Sequence, residues 1–205
     1  MFFDLIVVGG GAAGFFSAIT CAENSGKSVL ILEKTSQLLQ KVKISGGGRC
    51  NVTHDCFEPR ELSRNYPRGE KSLIGPFHRF GAADTVNWFS RRGVTLKTEA
   101  DGRMFPDTDS SQTIIDALLG AADAAGVAIH TSEGVTSIVK NEDNFELETD
   151  TGDSYTAASV LIATGGTRLT AGAKLAASFG HKLQPPTPSL FTFKIKDPRL
   201  DEMLG

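Results

Sequence analysis

The chain opens on Phe3-Asp4-Leu5-Ile6-Val7-Val8-Gly9-Gly10-Gly11-Ala12-Ala13-Gly14, a short apolar run that breaks at once into glycines. No other stretch restricts the possible folds as strongly. The apolar run reads as a buried strand, and a helical pattern continues beyond the glycines through Ala18, Ile19 and Ala22. Gly9, Gly11 and Gly14 stand in the G-x-G-x-x-G spacing. In that pattern the first glycine permits the tight turn, the second lets a pyrophosphate come against the backbone, and the third lets helix pack closely on strand. The helix that follows points unpaired N–H groups and the positive end of its dipole at the same place.

The context supports the motif. Gly26 reads as a helix stop, Ser28-Val29-Leu30-Ile31-Leu32 as a second buried strand, and Glu33 follows directly. An acidic residue about 20 residues beyond the fingerprint, at the end of the second strand, accepts hydrogen bonds from ribose hydroxyls. Its carboxylate repels a 2′-phosphate, so the site favours FAD or NAD over NADP. The plainer readings are a tight βα turn without a ligand for the glycines, and a solvated strand end for Glu33.

Composition sets the outer limits. The 205 residues suffice for one large domain, or for one domain and part of another. Hydrophobic content of 40% and charged content of 22% are ordinary for a globular chain. A net charge of −3 offers no overall basic field, which argues against nucleic acid as a partner. No apolar run is long enough to span a bilayer, and no signal peptide opens the chain, so no membrane association is expected. Cys21, Cys50 and Cys56 are too few for a disulfide framework, and the expected location is cytoplasmic.

After Glu33 and Lys34 comes a polar stretch to Gln40, and then Lys41-Val42-Lys43-Ile44 leads into Ser45-Gly46-Gly47-Gly48-Arg49-Cys50-Asn51-Val52-Thr53. Three consecutive glycines favour neither helix nor strand interior. Bare backbone beside Arg49, Asn51 and Thr53 suits close approach to a flat or anionic ligand; a flexible surface loop is the plainer reading. In 54–80, Pro59, Pro67 and Pro76 are expected to break any long element. A helix is expected from Ala82 to Arg92, with Trp88 as packing, and a strand at Val94–Lys97. A turn at Asp101-Gly102 precedes a helix capped by Asp109 or Ser110 and running to about Ala125. Val127–His130, Val135–Lys140, Phe145–Thr149, Ser154–Ala157 and Val160–Thr164 read as strands. The last stops at Gly165-Gly166, and His130 is a strand-end polar residue.

A fingerprinted βαβ unit, a long insertion, a helix, a meander and a strand ending Ala163-Thr164-Gly165-Gly166 together resemble the flavoproteins of the glutathione reductase type. The fold class is therefore α/β: a Rossmann-like FAD/NAD(P)-binding domain with a parallel central sheet, helices and a β-meander. The resemblance narrows on Ser45–Thr53, then Asp101-Gly102-Arg103-Met104-Phe105-Pro106, Ala163–Gly166, Gly180-His181 and Pro185–Leu190. In that order they are similar to the bacterial flavoprotein family called HI0933-like or BaiN-like, NAD(P)/FAD-dependent oxidoreductases. One departure is the stretch after Gly166, where Thr167–Gly172 stands in for a longer loop.

The resemblance implies FAD as cofactor, NAD(P)H as electron donor and a small-molecule substrate, with reduction of a carbon–carbon double bond or oxidation of an amine left open. It implies cofactor contacts from Gly9, Gly11, Ala12, Ala13, Gly14, Glu33, Lys34, Lys41, Ser45, Gly46, Gly47, Gly48, Arg49, Cys50, Asn51, Val135, Ala163, Thr164, Gly165 and Gly166. Arg49 or Lys43 would stabilise negative charge on reduced flavin, an electrostatic role. Residues 1–188 would form the FAD-binding domain and 189–205 the start of an inserted β-rich domain, making the chain an expected N-terminal piece of a longer protein. Two other readings stand beside this one. Cys50 and Cys56 follow a Gly-Gly pair as the thiols of disulfide reductases do, though five residues intervene where those enzymes have four. The chain also fits a nucleotide-binding module without catalysis.

Overall fold

The computed structural model describes residues 1–166 and 171–185. The stretch 167–170, the strand expected at Leu190–Ile195 and the domain boundary at 188/189 lie outside the described residues. In chain order the elements are β1 (Phe2–Val8), α1 (Ala12–Ser25), β2 (Val29–Glu33), α2 (Gln40–Ile44), a 3-10 turn at Ser45–Gly48, β3 (Thr53–His54), α3 (Pro59–Arg64), α4 (Glu70–Arg79) and α5 (Ala82–Ser90). Then follow β4 (Leu96–Thr98), β5 (Arg103–Pro106), α6 (Ser111–Ala124), β6 (Ala128–Thr131), β7 (Val135–Lys140), β8 (Phe145–Thr149), β9 (Ser154–Ile162) and α7 (Ala171–Ser178).

The main sheet runs β6-β2-β1-β9-β8-β7. Its first four strands are parallel and its last three form an antiparallel meander. β1 and β2 are apolar at nearly every position because both faces of the sheet are covered. Val7 and Ile31 pack with Phe15 and Ile19 of α1 and with Ile114 and Leu118 of α6. Ile6, Val8, Leu30 and Leu32 point the other way, into a second core with Leu147, Tyr155 and Leu175. Each such fully buried side chain contributes about 1.5–3 kcal/mol. β3, β5 and β4 form a small separate sheet.

Much of the sequence reading holds. Gly26 closes α1 in the left-handed conformation, and Ser110 caps α6 by accepting from the Gln112 N–H. β7 and β8 occupy their expected spans. Trp88 packs against Phe16 and Phe89.

Three expectations are corrected. Ser154–Ala157 and Val160–Thr164 are one strand, β9, because nothing in Ala157-Ala158-Ser159 breaks an extended chain and Ala157 is fully buried. The strand expected at 94–97 lies at Leu96–Thr98. The proline-rich 54–80 stretch holds two helices: Pro59 sits in the first turn of α3, where its missing N–H costs nothing, and Pro76 lies inside the exposed α4. No helix among the described residues is long and apolar enough to cross a membrane.

Candidate functional site

The site lies at the carboxyl ends of β1, β2 and β9, the edge where doubly wound sheets bind ligands. Its three fingerprint glycines meet three different surroundings. A side chain on Gly14 would lie 2.0 Å from the Gly9 carbonyl oxygen, and one on Gly9 would lie 2.6 Å from the Ala163 carbonyl oxygen. These two are glycines because backbone fills the space. At Gly11 a side chain would meet nothing within 4 Å. The backbone there is bare and open, and Gly11 caps α1 without any side-chain hydrogen bond. The first N–H groups of this 14-residue helix are thus available to an anion.

Glu33 is held across from this opening. Its Oε2 accepts the Gly10 N–H at 2.7 Å, and its Oε1 accepts the Thr35 N–H and hydroxyl, both at 2.9 Å. Three of a carboxylate's roughly four acceptor positions are taken, which leaves one for a hydroxyl. Gly10 and Thr35 did not figure among the sequence candidates. The readable signal was a Thr two residues past the strand-end acid, well placed for a local side-chain hydrogen bond. The Gly10 carbonyl also accepts from the Leu39 N–H, which fixes the start of α2. Beside Glu33, the Ser132 N–H reaches the Thr35 carbonyl and the Glu133 N–H reaches the Glu33 carbonyl. Lys34 is exposed over Gly134, and Val135 is buried in the second core.

The far end is built from α2 and the turn after β9. Lys41 Nζ donates to the Gly166 carbonyl at 3.4 Å, so Lys41, Gly165 and Gly166 come together as the sequence reading expects. Thr164 sits under Gly172 of α7, with no room there for a side chain. Gly46, Gly47 and Gly48 all take positive φ, and a side chain on Gly46 would lie 2.9 Å from the Phe105 ring. Ser45 and Gly48 are half-buried and Asn51 is exposed on this loop.

Arg49 and Lys43 diverge. The Arg49 guanidinium lies 2.5 Å from Glu99 Oε1 and 3.6 Å from Asp109, stacked 4.1 Å from the Phe105 ring centre. Glu99 holds it firmly protonated, and its charge is matched on the β4–β5 side. Lys97 and Arg49 in turn hold the Asp109 carboxyl below its usual range. Lys43 is exposed and its ammonium has no partner among the described residues, so it is the cation left available on this loop.

The cysteines are free thiols. Cys50 is part of the first core, and burial pushes its thiol up. Burial, then Glu61, Asp55 and Glu58, push the Cys56 thiol up as well. Both are therefore thiols at neutral pH, poorly prepared for the thiolate chemistry a disulfide reductase needs.

A profile of the HI0933-like protein Rossmann domain matches residues 3–192. The chain belongs to the HI0933-like family. It is 31% identical over 207 residues to a ribosomal RNA dihydrouridine synthase of Escherichia coli K12, covering 98% of this chain and 50% of that protein. It is 28% identical over 197 residues to a 3-dehydro-bile acid delta(4,6)-reductase of Clostridium scindens, covering 93% of this chain and 47% of that protein. The chain thus spans about half the length of the curated relatives it matches. Among solved structures, the 3-ketosteroid-delta4-(5alpha)-dehydrogenase of Rhodococcus jostii RHA1 superposes with a TM-score of 0.61 at 18% identity, over 80% of this chain and 46% of that one. This HI0933-like chain accordingly has the Rossmann-like α/β fold of the glutathione reductase type, with a mostly parallel central sheet.

Proposed function

We propose that the protein is an FAD-dependent oxidoreductase, reduced by NAD(P)H, that saturates a carbon–carbon double bond conjugated to a carbonyl. The observation that carries the cofactor half is the open backbone at Gly11, set between an uncapped helix and a carboxylate with one acceptor position to spare. These groups fit the pyrophosphate and ribose of an unphosphorylated adenine dinucleotide. The substrate half rests on relatives whose names share one chemistry: a uridine ring taken to its dihydro form in one, a Δ4,6 steroid skeleton reduced in the other.

Bound there, FAD would supply the two-electron carrier between nicotinamide and substrate. The chain's own part is to bind and orient. Ala12, Ala13 and Gly14 N–H groups take the phosphates, Glu33 the ribose, and the 132–135 loop borders the adenosine end. Lys41, the Ser45–Asn51 loop and Gly165–Gly166 border the ring end. Lys43, with no partner among the described residues, is placed to offset negative charge there, whereas Arg49 shapes the loop by stacking on Phe105.

Anaerobic titration of the purified protein with NADH and NADPH, read by flavin absorbance, tests the electron path. Turnover with a conjugated steroid enone and with uridine in RNA then tests the acceptor. Protein that purifies without flavin, or flavin that neither nucleotide bleaches, sinks the reading and leaves a non-catalytic module.

A further inference from the structure

His130, near the carboxyl end of β6, is more than a polar strand end. Its Nδ1 lies 2.9 Å from the Tyr155 hydroxyl and 3.4 Å from Glu133 Oε1, and the Tyr155 hydroxyl donates to Glu133 Oε2 at 2.6 Å. Tyr155 belongs to the second core, and burial, and after it Glu133, push its hydroxyl up. The hydroxyl therefore keeps its proton at neutral pH. It has one hydrogen to give, and the carboxylate takes it. The His130 Nδ1 then faces the lone pairs of the same oxygen, so Nδ1 is the ring nitrogen that carries hydrogen. Side chains from β6, the loop after it and β9 are thus joined in one run of hydrogen bonds.

The loop they hold, 132–134, is the one that lies against Glu33. The Glu133 N–H donates to the Glu33 carbonyl at 2.9 Å, and the Ser132 N–H donates to the Thr35 carbonyl at 3.0 Å. From the meander side, Asp150 Oδ1 accepts the Gly134 N–H at 2.8 Å. Ser132 has a φ of 59°, in the left-handed region, which a non-glycine residue occupies where its surroundings impose it. The ties meet at Glu133. Its main chain bonds to the strand end that carries the Glu33 carboxylate, and its side chain is held by a hydroxyl anchored in the core.

We propose that Tyr155 is a positioning residue for the adenosine half of the cofactor, acting through Glu133 to fix the 132–134 backbone and, with it, the end of β2 at Glu33. This rests on the reading above, in which Glu33 takes the ribose.

Isothermal titration of ADP, and then of FAD, into the flavin-stripped protein tests it. ADP carries the adenosine and the pyrophosphate without the flavin ring. Tyr155→Phe keeps the ring in the core and removes only the hydroxyl. Glu133→Ala removes the acceptor from a half-buried loop position. Each should weaken ADP and FAD by about tenfold, the effect of losing one hydrogen bond to a charged group. The double variant should bind no more weakly than either single one, because both changes remove the same link. Glu133→Gln should bind within about threefold of the parent, since an amide oxygen still accepts from the hydroxyl. Each titration is run well below that variant's melting temperature, where a loss of stability alone leaves affinity as it was. The proposal is overturned if either single variant binds ADP as the parent does, if the two losses add in the double variant, or if Glu133→Gln binds as weakly as Glu133→Ala. A parent that binds neither ADP nor FAD overturns the cofactor reading and this proposal together. A parent that binds both, with variants that match it, overturns this proposal alone.

Discussion

The nucleotide cradle and the α3–α4 hairpin are built on opposite terms. In the cradle, backbone meets backbone where Gly14 lies on the Gly9 carbonyl and Gly9 on Ala163, and the Glu33 carboxylate accepts the Gly10 N–H. Glu33 apart, little there depends on which side chain is chosen, and Gly9, Gly10 and Gly14 have no room for one. In the hairpin the side chains are exposed or half-buried, and Ser63 is its one fully buried residue. Cradle substitutions should therefore act on folding and cofactor retention together, and hairpin substitutions on neither. The one cradle position expected to break that rule is Gly11, which is walled by nothing.

Substitutions order themselves by how much of this contrast they test. Gly14→Val should have the largest effect, since its side chain would enter backbone 2.0 Å away; a loss of about 3 kcal/mol or more is expected in urea denaturation. Near-parental stability would mean that helix and strand can separate freely. Glu33→Ala strips the Gly10 N–H of its acceptor and should cost about 1–3 kcal/mol. It should also weaken flavin retention, and Glu33→Arg more so. If both variants purify with a full flavin complement, Glu33 is not the ribose acceptor. Gly11→Ala should leave the melting temperature of the flavin-free protein almost unchanged while lowering flavin affinity tenfold or more, because the added methyl occupies only the ligand's space. Equal affinity for flavin in that variant would remove the pyrophosphate from this position.

Smaller effects come from the flanking thiol and the ion-pair cluster. Cys56→Ser should leave NAD(P)H-dependent flavin reduction and reoxidation as they are; a long-wavelength thiolate–flavin band that vanishes in the variant would restore the disulfide reading. Asp109→Asn should matter least. The Asp109 carboxyl is held below its usual range by Lys97 and Arg49, so its contribution is present above the ordinary carboxylate range and is lost as pH falls through the lowered value. The parent should lose slightly more stability than the variant on acidification, as read by melting temperature against pH.

The same contrast explains what could be read from sequence. Gly9, Gly14 and the apolar runs of β1 and β2 announce themselves because a glycine or a Val-Leu-Ile-Leu run has few structural meanings. The hairpin was opaque because its prolines carry two. Pro59 starts a helix as readily as it prevents one, and Pro76 survives in α4 because that helix is exposed. The join in β9 was hidden since Ala157 and Ser159 carry no strong preference; their place comes from pairing with Phe3 and Leu5. At the site, Arg49 was legible as important and illegible in direction. Its partner Glu99 lies far along the chain, and only the fold shows that the guanidinium is already matched.

β9 has a consequence for how this domain loosens. Ser154–Ala157 pair with the meander through β8, Thr156–Ile162 pair with β1, and the strand ends where Ala163 backs Gly9. The meander therefore cannot peel away as a separate unit without tugging on the strand that shapes the phosphate turn. Deuterium should enter the β9 amides last, in step with those of β1, whereas the α3–α4 helices should label early and alone.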